Sequence, residues 1–303
     1  MKSGKAKPKS RLLSVVIPTF NRDQPLRNTL QSLLVQDYPR FEIIVVDQST
    51  KKFPPKEAFL KKKHFKVWHH SPPNAAAARN LGISQAKGAI ILFLDDDVIC
   101  QKNLLKNHVK NYRDARIGAV AGRVIDRSSK RFRDSHRVGQ ITWYGQFTDG
   151  FAGSQKQMVL TGMTCNASWR REVLKKLQGF DENFTGPIRE DSDLCLRTIN
   201  EGHQIIFEPQ AVVVHQRAKT GGFRKTEGRL QWYRGFFKNE TYFFLKHRPK
   251  ILLPLVLLTR ANLILRGMFG FGHEVSWRSL ATPWQGIGEG IKAYGRWRND
   301  HRG

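Results

Sequence analysis

The chain has 303 residues, 40% hydrophobic and 11% aromatic, enough apolar surface to offset chain entropy and to exclude a disordered or low-complexity protein. Its 52 Lys and Arg against 25 Asp and Glu give a formal charge of +27, which predicts an anionic partner: nucleic acid, lipid headgroup or phosphorylated ligand. The three cysteines, Cys100, Cys165 and Cys195, have no C-x-x-C spacing, which speaks against a disulfide framework or zinc site and for a reducing compartment.

Basic residues crowd an N-terminal extension at 1–11 (Lys2, Lys5, Lys7, Lys9, Arg11), the stretch from Arg123 to Arg137, and the region after His215. Regional excess of this kind predicts a surface contact. Leu12 to Ile17 reads as a first strand, because the apolar run is short for a secretion signal and leads into Asn21-Arg22. Leu26, Leu30, Leu33 and Leu34 then share one face of a helix. Glu42 to Asp47 is a second strand ending in a carboxylate, Pro54-Pro55 mark a linker, and Phe65 to Trp68 form a short third strand.

Ala75 to Ala86 predicts a helix whose small side chains permit close approach to a sheet, ended by Gly88. Ala89 to Leu94 is a fully apolar strand with three aspartates at its C-terminal end, the edge where open α/β sheets bind ligands. Past Tyr112 the alternation weakens, and Arg123 to Gly153 reads as a basic, irregular loop. Asn166 to Leu177 reads as a turn and helix. Glu190 to Glu201 fits a helix with Leu194, Cys195, Thr198 and Ile199 inward and Gly202 as its stop. Gln204–Phe207 and Ala211–Val214 read as two closing strands.

From Arg229 the composition changes. Ile251 to Leu265 is apolar but interrupted by Pro254 and Arg260, and falls short of the roughly 20 residues that span a bilayer. With Lys246, Arg248, Lys250 and Arg266 beside it, the segment fits either a helix lying in a membrane interface or a helical hairpin packed on the main domain. The expected division is therefore 1–11, a main domain at 12–228, and a helical basic tail at 229–303.

Three consecutive carboxylates, Asp95-Asp96-Asp97, raise one another's pKa unless a cation resolves the conflict. Oxygen ligands of this kind suit Mg²⁺ or Mn²⁺ shared with substrate phosphates. An acidic turn capping a helix is the bland alternative, but six apolar residues rarely precede one. Asp47 ends the neighbouring strand and would lie on the same edge.

Pro18-Thr19-Phe20-Asn21-Arg22, Ile44-Val45-Val46-Asp47, Ala78-Arg79-Asn80-Leu81-Gly82, Leu94-Asp95-Asp96-Asp97 and Glu190-Asp191 occur in an order that resembles family 2 glycosyltransferases, from about Leu12 to His215. The resemblance implies an α/β GT-A fold, Rossmann-like with a mostly parallel central sheet flanked by helices. It also implies a nucleotide-diphosphate sugar donor, a divalent metal and inversion at the anomeric carbon. Carried over by position, Pro18, Thr19, Phe20 and Asn21 line the nucleoside pocket, Asp47 contacts the base, and Arg79 holds the nucleotide. Asp96 reaches ribose or sugar, Asp97 binds metal with Asp95 in support, and His215 completes the metal site. Gly162 and Asn166 match a loop beneath the sugar. Asp191, beside Glu190, is the base that deprotonates an acceptor hydroxyl. Gln48-Ser49 after Asp47, in place of a glycine-containing turn, and four alanines after Asn74 depart from the pattern and bear on donor-base specificity.

The expected protein is a cytoplasmic transferase on the inner membrane face, acting on a lipid-linked or polysaccharide acceptor. No specific nucleic-acid partner is expected. Non-catalytic nucleic-acid or membrane binding on the same fold is the rival suggested by charge. A nucleotidyltransferase would call for a glycine-rich loop near the first strand, and Pro18-Thr19-Phe20-Asn21 is not one.

Overall fold

The computed structural model describes residues 11–53, 65–126, 137–148, 150–186, 188–218, 221–222, 228–269 and 277–300. Nearly all of the N-terminal extension, the Pro54-Pro55 linker and part of the 123–153 stretch lie outside them. The first half alternates as the apolar runs require: β1 (Leu13–Thr19), α1 (Asp23–Leu34), β2 (Phe41–Asp47), β3 (Phe65–His69), α2 (Ala75–Gln85) and β4 (Ile90–Leu94). β3, β2, β1 and β4 are adjacent and parallel. Leu26, Leu30 and Leu33 bury one face of α1. Helix α2 is capped by Asn74, whose Oδ1 accepts from the amides of Ala76 at 2.9 Å and Ala77 at 3.1 Å. It lies so close to β1 that a Cβ on Gly82 would fall 2.3 Å from the Val16 side chain.

The second half is mixed rather than parallel. β5 (Val98–Cys100), α3 (Leu104–Asn111), β6 (Ile117–Asp126), β7 (Gln157–Met158), β8 (Asn166–Arg170), α4 (Arg171–Lys176), α5 (Glu190–Asn200) and β9 (Gln204–His215) follow. The order along the sheet is β3-β2-β1-β4-β8-β6-β9-β5, with β7 also on β9. β8 runs antiparallel between β4 and β6, and β5 antiparallel to β9.

Three expectations change here. Asn166–Arg170 is a strand, not a turn; its polar Ser168 is tolerated inside because Tyr112 Oη at 2.7 Å and His108 Nδ1 at 2.9 Å satisfy it. Arg123 to Asp126, expected in an irregular loop, are the end of a ten-residue strand, β6, hidden by its glycines: a Cβ on Gly118 would lie 2.6 Å from His203, and one on Gly122 2.2 Å from Asn166 Nδ2. The two closing strands are the ends of one, β9, broken by a register shift where Gly122 pairs with Glu208 and Arg123 with Val212.

The tail forms α6 (Arg229–His247), a 3₁₀ turn (Lys250–Leu252), α7 (Leu253–Thr259), α8 (Ala261–Phe269) and α9 (Trp277–Asp300). α6 and α9 cross closely, since Cβ atoms on Gly286 and Gly290 would meet Arg234 O at 2.4 Å and Lys238 O at 2.6 Å. α6 docks on the α/β layer through buried charge. Lys246 Nζ lies 2.6 Å from Asp181 and 2.8 Å from Asp193, which also receives His247 at 2.8 Å and Arg197 at 2.7 Å. Of the apolar 251–265 segment, Val256 is buried and Leu257, Leu263 and Ile264 pack on the tail helices, while Ile251, Leu258 and Leu265 stay exposed. Among the described residues no helix is long and apolar enough to cross a membrane.

Candidate active site

The sheet register builds the site. Thr19 pairs with Asp47 and Asp47 with His69, so the C-terminal ends of three parallel strands line up. The aspartate triplet leaves β4 at the same edge and turns into β5, where Val98 pairs with His215. That pairing sets a histidine from more than a hundred residues away beside Asp97.

The three aspartates are not equivalent. Asp96 is 4% exposed; its Oδ2 accepts from Thr19 Oγ1 at 2.7 Å and its Oδ1 from Arg22 Nη1 at 2.9 Å. Burial lifts its carboxyl to about 6 against the pull of Arg22, and Asp97 adds to the rise. Both oxygens thus accept from protein donors, which ties the triplet to the β1 turn. Asp97 is equally buried, with Oδ2 accepting from the Ala218 amide at 3.0 Å and lying 3.1 Å from Arg22. Its Oδ1 has no hydrogen-bond partner and lies 3.5 Å from His215 Nε2, which is 3.7 Å from Asp95 Oδ2.

Asp95, Asp97 and His215 each offer a ligand atom, all within 4.8 Å of one another. A buried orphan carboxylate oxygen, a more open carboxylate and an imidazole form a donor set that fits Mn²⁺ or Mg²⁺ shared with a diphosphate. Burial pulls the His215 pKa down, but Asp95 and Asp97 outweigh it and the net shift is upward. A bound cation would reverse that balance.

Arg79 joins the triplet to the Glu190-Asp191 pair. From α2 its Nη1 donates to Glu190 Oε1 at 3.1 Å, and its Nη2 lies 3.7 Å from Asp95 Oδ1. Its guanidinium sits over the Phe180 ring, 5.5 Å from the centroid. Between the two acidic groups lies Cys165, whose thiol is pushed well up by burial and then by Asp95, Asp191 and Asp97. The Asp191 carboxyl is raised to about 6 by burial and by Glu190, with Arg79 opposing. Its Oδ1 accepts from the Ser192 amide at 2.7 Å at the start of α5, a position the helix dipole favours for an anion. Besides Asp97 Oδ1, three buried polar atoms here lack partners: Arg22 Nε, Arg79 Nε and Glu190 Oε2. Orphans so concentrated fit a polar ligand.

The other expected positions fall at varying distance from this centre. Asp47 is 1% exposed and uses Oδ1 on the Ser49 amide at 3.0 Å and Oδ2 on the Phe53 amide at 2.7 Å, with His69 at 3.4 Å. It shapes the 47–53 loop. Asn21, at φ 53, holds Thr50 through Oδ1, while Pro18 and Phe20 flank Thr19 half-buried. Asn166 uses both ends of its amide on the protein: its Nδ2 donates to Arg123 O at 2.9 Å and Ala211 O at 2.8 Å, and its Oδ1 meets His108 Nε2 at 2.9 Å. It fills the bulge between β6 and β9. Gly162 is buried, and a Cβ there would stand 3.2 Å from that of Ala121.

Sequence reasoning missed Arg22 as a site residue, although it sits in a quoted motif. It also missed Gly221 and Gly222, which lie against the β1 turn. A Cβ on Gly221 would lie 2.1 Å from Asn21 O, and one on Gly222 2.4 Å from Arg22 Nη2. The glycine pair itself was the available signal.

Residues 14–178, more than half of the chain, match the family model described as glycosyl transferase family 2. A Bacillus subtilis protein named "Probable glycosyltransferase YdaM" is 28% identical over 264 residues, 80% of this chain and 60% of its own length. The O-antigen chain rhamnosyltransferase RfbN of Salmonella typhimurium is 25% identical over 292 residues, 88% of this chain and 91% of its own. The chain thus spans less than two thirds of the Bacillus relative. Among solved structures, S. aureus TarS 1-349 in complex with UDP-GlcNAc has a TM-score of 0.63 at 18% identity, covering 93% of this chain and 81% of that one. The mannosyltransferase PcManGT of Pyrobaculum calidifontis, in complex with GDP-Man and Mn²⁺, has a TM-score of 0.58 at 21% identity, covering 97% and 76%. With a GT-A architecture and the family match over its α/β layer, the chain belongs to glycosyl transferase family 2.

Proposed function

We propose that the chain is a metal-dependent, inverting glycosyltransferase that moves a sugar from a nucleotide-diphosphate donor to a hydroxyl of a lipid-linked or polysaccharide acceptor. The observation that carries this is Arg79, whose guanidinium spans Glu190 at 3.1 Å and Asp95 at 3.7 Å. It draws a base candidate and a metal-ligand candidate, about a hundred residues apart in sequence, into one cluster. Neighbours crystallised with GDP-Man and Mn²⁺ or with UDP-GlcNAc support the donor class, and the rhamnosyltransferase relative supports a polysaccharide acceptor.

Asp95, Asp97 and His215 would hold Mn²⁺ or Mg²⁺, which supplies Lewis-acid stabilisation of the departing diphosphate. Arg79 and Arg22 add positive charge where that leaving group gathers negative charge. Asp191 takes the proton of the acceptor hydroxyl as its oxygen attacks C1 of the sugar from the face opposite the diphosphate. The C1–O bond to the diphosphate breaks with its electron pair on the leaving oxygen, so the centre inverts. A carboxyl at about 6 is ionised at neutral pH yet basic enough to help. Release of nucleoside diphosphate from a donor panel, with Mn²⁺ or with chelator, tests the reading beside Asp97→Ala and Asp191→Ala. The first variant should lose metal-dependent nucleotide binding, and the second should bind and not turn over. Equal activity in both refutes the assignment.

Membrane attachment belongs to the same reading. On α9, Trp277, Trp284 and Ile291 stand seven residues apart at 86%, 56% and 48% exposure, with Arg278, Lys292 and Arg296 on the same exposed side. Exposed Trp among cations suits an anionic lipid interface, and with it the cytoplasmic membrane face. Co-sedimentation with phosphatidylglycerol but not phosphatidylcholine vesicles at low salt is expected. Trp277→Ser with Trp284→Ser should abolish it, and indifference to both lipids refutes the attachment.

A further inference from the structure

Tail helix α6 touches the turn that presents the candidate base at three successive points. A Cβ on Gly186 would lie 3.5 Å from Gly235 Cα, Asn239 Nδ2 donates to Ile188 O at 2.9 Å, and Arg189 Nε donates to Glu240 Oε2 at 2.6 Å. Arg189 is the N-cap of α5 and has φ 83, a left-handed conformation that residues with a Cβ hold only when their surroundings enforce it. Glycine would adopt it freely. Two contacts hold an arginine there. Its guanidinium reaches a carboxylate 3% exposed and lies 3.5 Å from the centroid of the Phe147 ring. Glu240 is shared with Arg260, whose Nε donates to Glu240 Oε1 at 2.9 Å and whose Nη2 donates to Gly145 O at 2.7 Å. One carboxylate therefore ties the base turn, the tail and the 141–147 hairpin.

We propose that Glu240, acting through Arg189, is a positioning residue: it fixes the direction in which α5 presents Glu190 and Asp191, from a helix outside the 14–178 family match. The inference rests on the transferase reading. Small displacements of a base from its attacking oxygen are costly, about a hundredfold for 1 Å. A residue that sets this direction acts on turnover and leaves nucleotide affinity alone, because the nucleotide candidates lie on β1, β2, α2 and the triplet.

Glu240→Gln keeps the shape and removes the charge. Arg189→Gly removes the side chain but adopts φ 83 without strain, so it gives a folded protein in which the turn has lost its tether. Leu33→Ala, which thins the packing of α1 on the sheet and has no part in the α6 contacts, serves as the control. Steady-state kinetics, isothermal titration of nucleoside diphosphate with Mn²⁺ and thermal unfolding are measured on all three full-length variants. Glu240→Gln and Arg189→Gly are expected to lose about tenfold or more in kcat, with donor KM and diphosphate affinity near wild type. Leu33→Ala should lower Tm and keep kcat. Retention of kcat within about twofold by Arg189→Gly overturns the proposal, as does a parallel loss of kcat and nucleotide affinity in both turn variants. If the wild-type chain turns over no nucleotide sugar, the transferase reading fails and the inference goes with it.

Discussion

Replacing Asp191 with Asn separates catalysis from stability in opposite directions. The Asn Oδ1 can still accept from the Ser192 amide, which Asp191 does at 2.7 Å, so the start of α5 is kept. The carboxyl is raised to about 6 by burial and then Glu190, whereas an unfolded chain titrates near 3.9. The folded state thus binds this proton more tightly than the unfolded state, and ionised Asp191 destabilises the fold. That penalty is absent below about pH 4, grows from there to about pH 6, and is constant above. Two units correspond to at most about 3 kcal/mol, and roughly half remains after allowance for the water this half-buried side chain meets. The variant should therefore melt about 2–3 °C above wild type at pH 7.5 and level with it near pH 4. Its turnover should fall about 10²–10⁴-fold. In the wild type kcat should drop as pH falls through about 6, reaching about one tenth of its plateau at pH 5. Scanning fluorimetry at both pH values and diphosphate release across pH 5–8 measure the three quantities. A Tm gap that ignores pH, or an Asn variant that turns over normally, refutes the assignment.

Asp97→Ala should weaken Mn²⁺-dependent binding of UDP or GDP at least about tenfold by titration calorimetry, and His215→Ala by less. Thr19→Val removes the hydroxyl that donates to Asp96 at 2.7 Å; denaturant unfolding should show a loss of about 1–3 kcal/mol. Gly222→Ala adds a Cβ at φ 76, about where the Arg22 guanidinium lies, 2.4–2.7 Å away. Lower Tm together with weaker nucleotide binding is expected, and unchanged values would separate Gly222 from the site.

The parallel half of the sheet was legible because its strands are nearly all apolar and its helices carry clean periodicity. Leu13 to Ile17 and Ile90 to Leu94 are fully buried, and Ser14, the one polar residue among them, is satisfied because its hydroxyl donates to Glu42 at 2.6 Å. β6 was illegible for the opposite reason: glycine and alanine weaken a strand signal, and the need for them arises only where Asn166 and His203 crowd the backbone. β8 misled because Asn166 and Ser168 look like turn residues until partners from α3 satisfy them. At the site, the triplet with His215 stood out as carboxylates and a histidine ending apolar strands. Arg22 did not, since an arginine beside Asn21 and Asp23 resembles a solvated surface. Its pairing with Asp96 and Asp97 exists only once the sheet sets two strand ends side by side.

The tail's composition suggests an appendage, but the charges it buries argue for a structural part of the enzyme. Burial raises the Asp193 carboxyl, but His247, Arg197 and Lys246 outweigh it and hold it well below the usual range. Its stabilising contribution is therefore present above about pH 4 and lost as pH falls below it. Lys246→Met leaves this carboxylate buried with fewer partners, and Asp181 with it. A loss of about 3–5 kcal/mol, read by denaturant unfolding at pH 7, is expected. Ending the chain after Gly228 is a different perturbation: Asp181 and Asp193 would meet water and lose little. The exposed damage is apolar, since Phe184, Ile141, Phe147 and Leu160 pack on Tyr242 and Phe243 of α6. A chain of residues 11–228 should therefore aggregate rather than merely melt earlier. A soluble monomer with a sharp unfolding transition would show that α6 decorates a self-sufficient domain, and would remove the reason to treat Glu240 as part of the machinery.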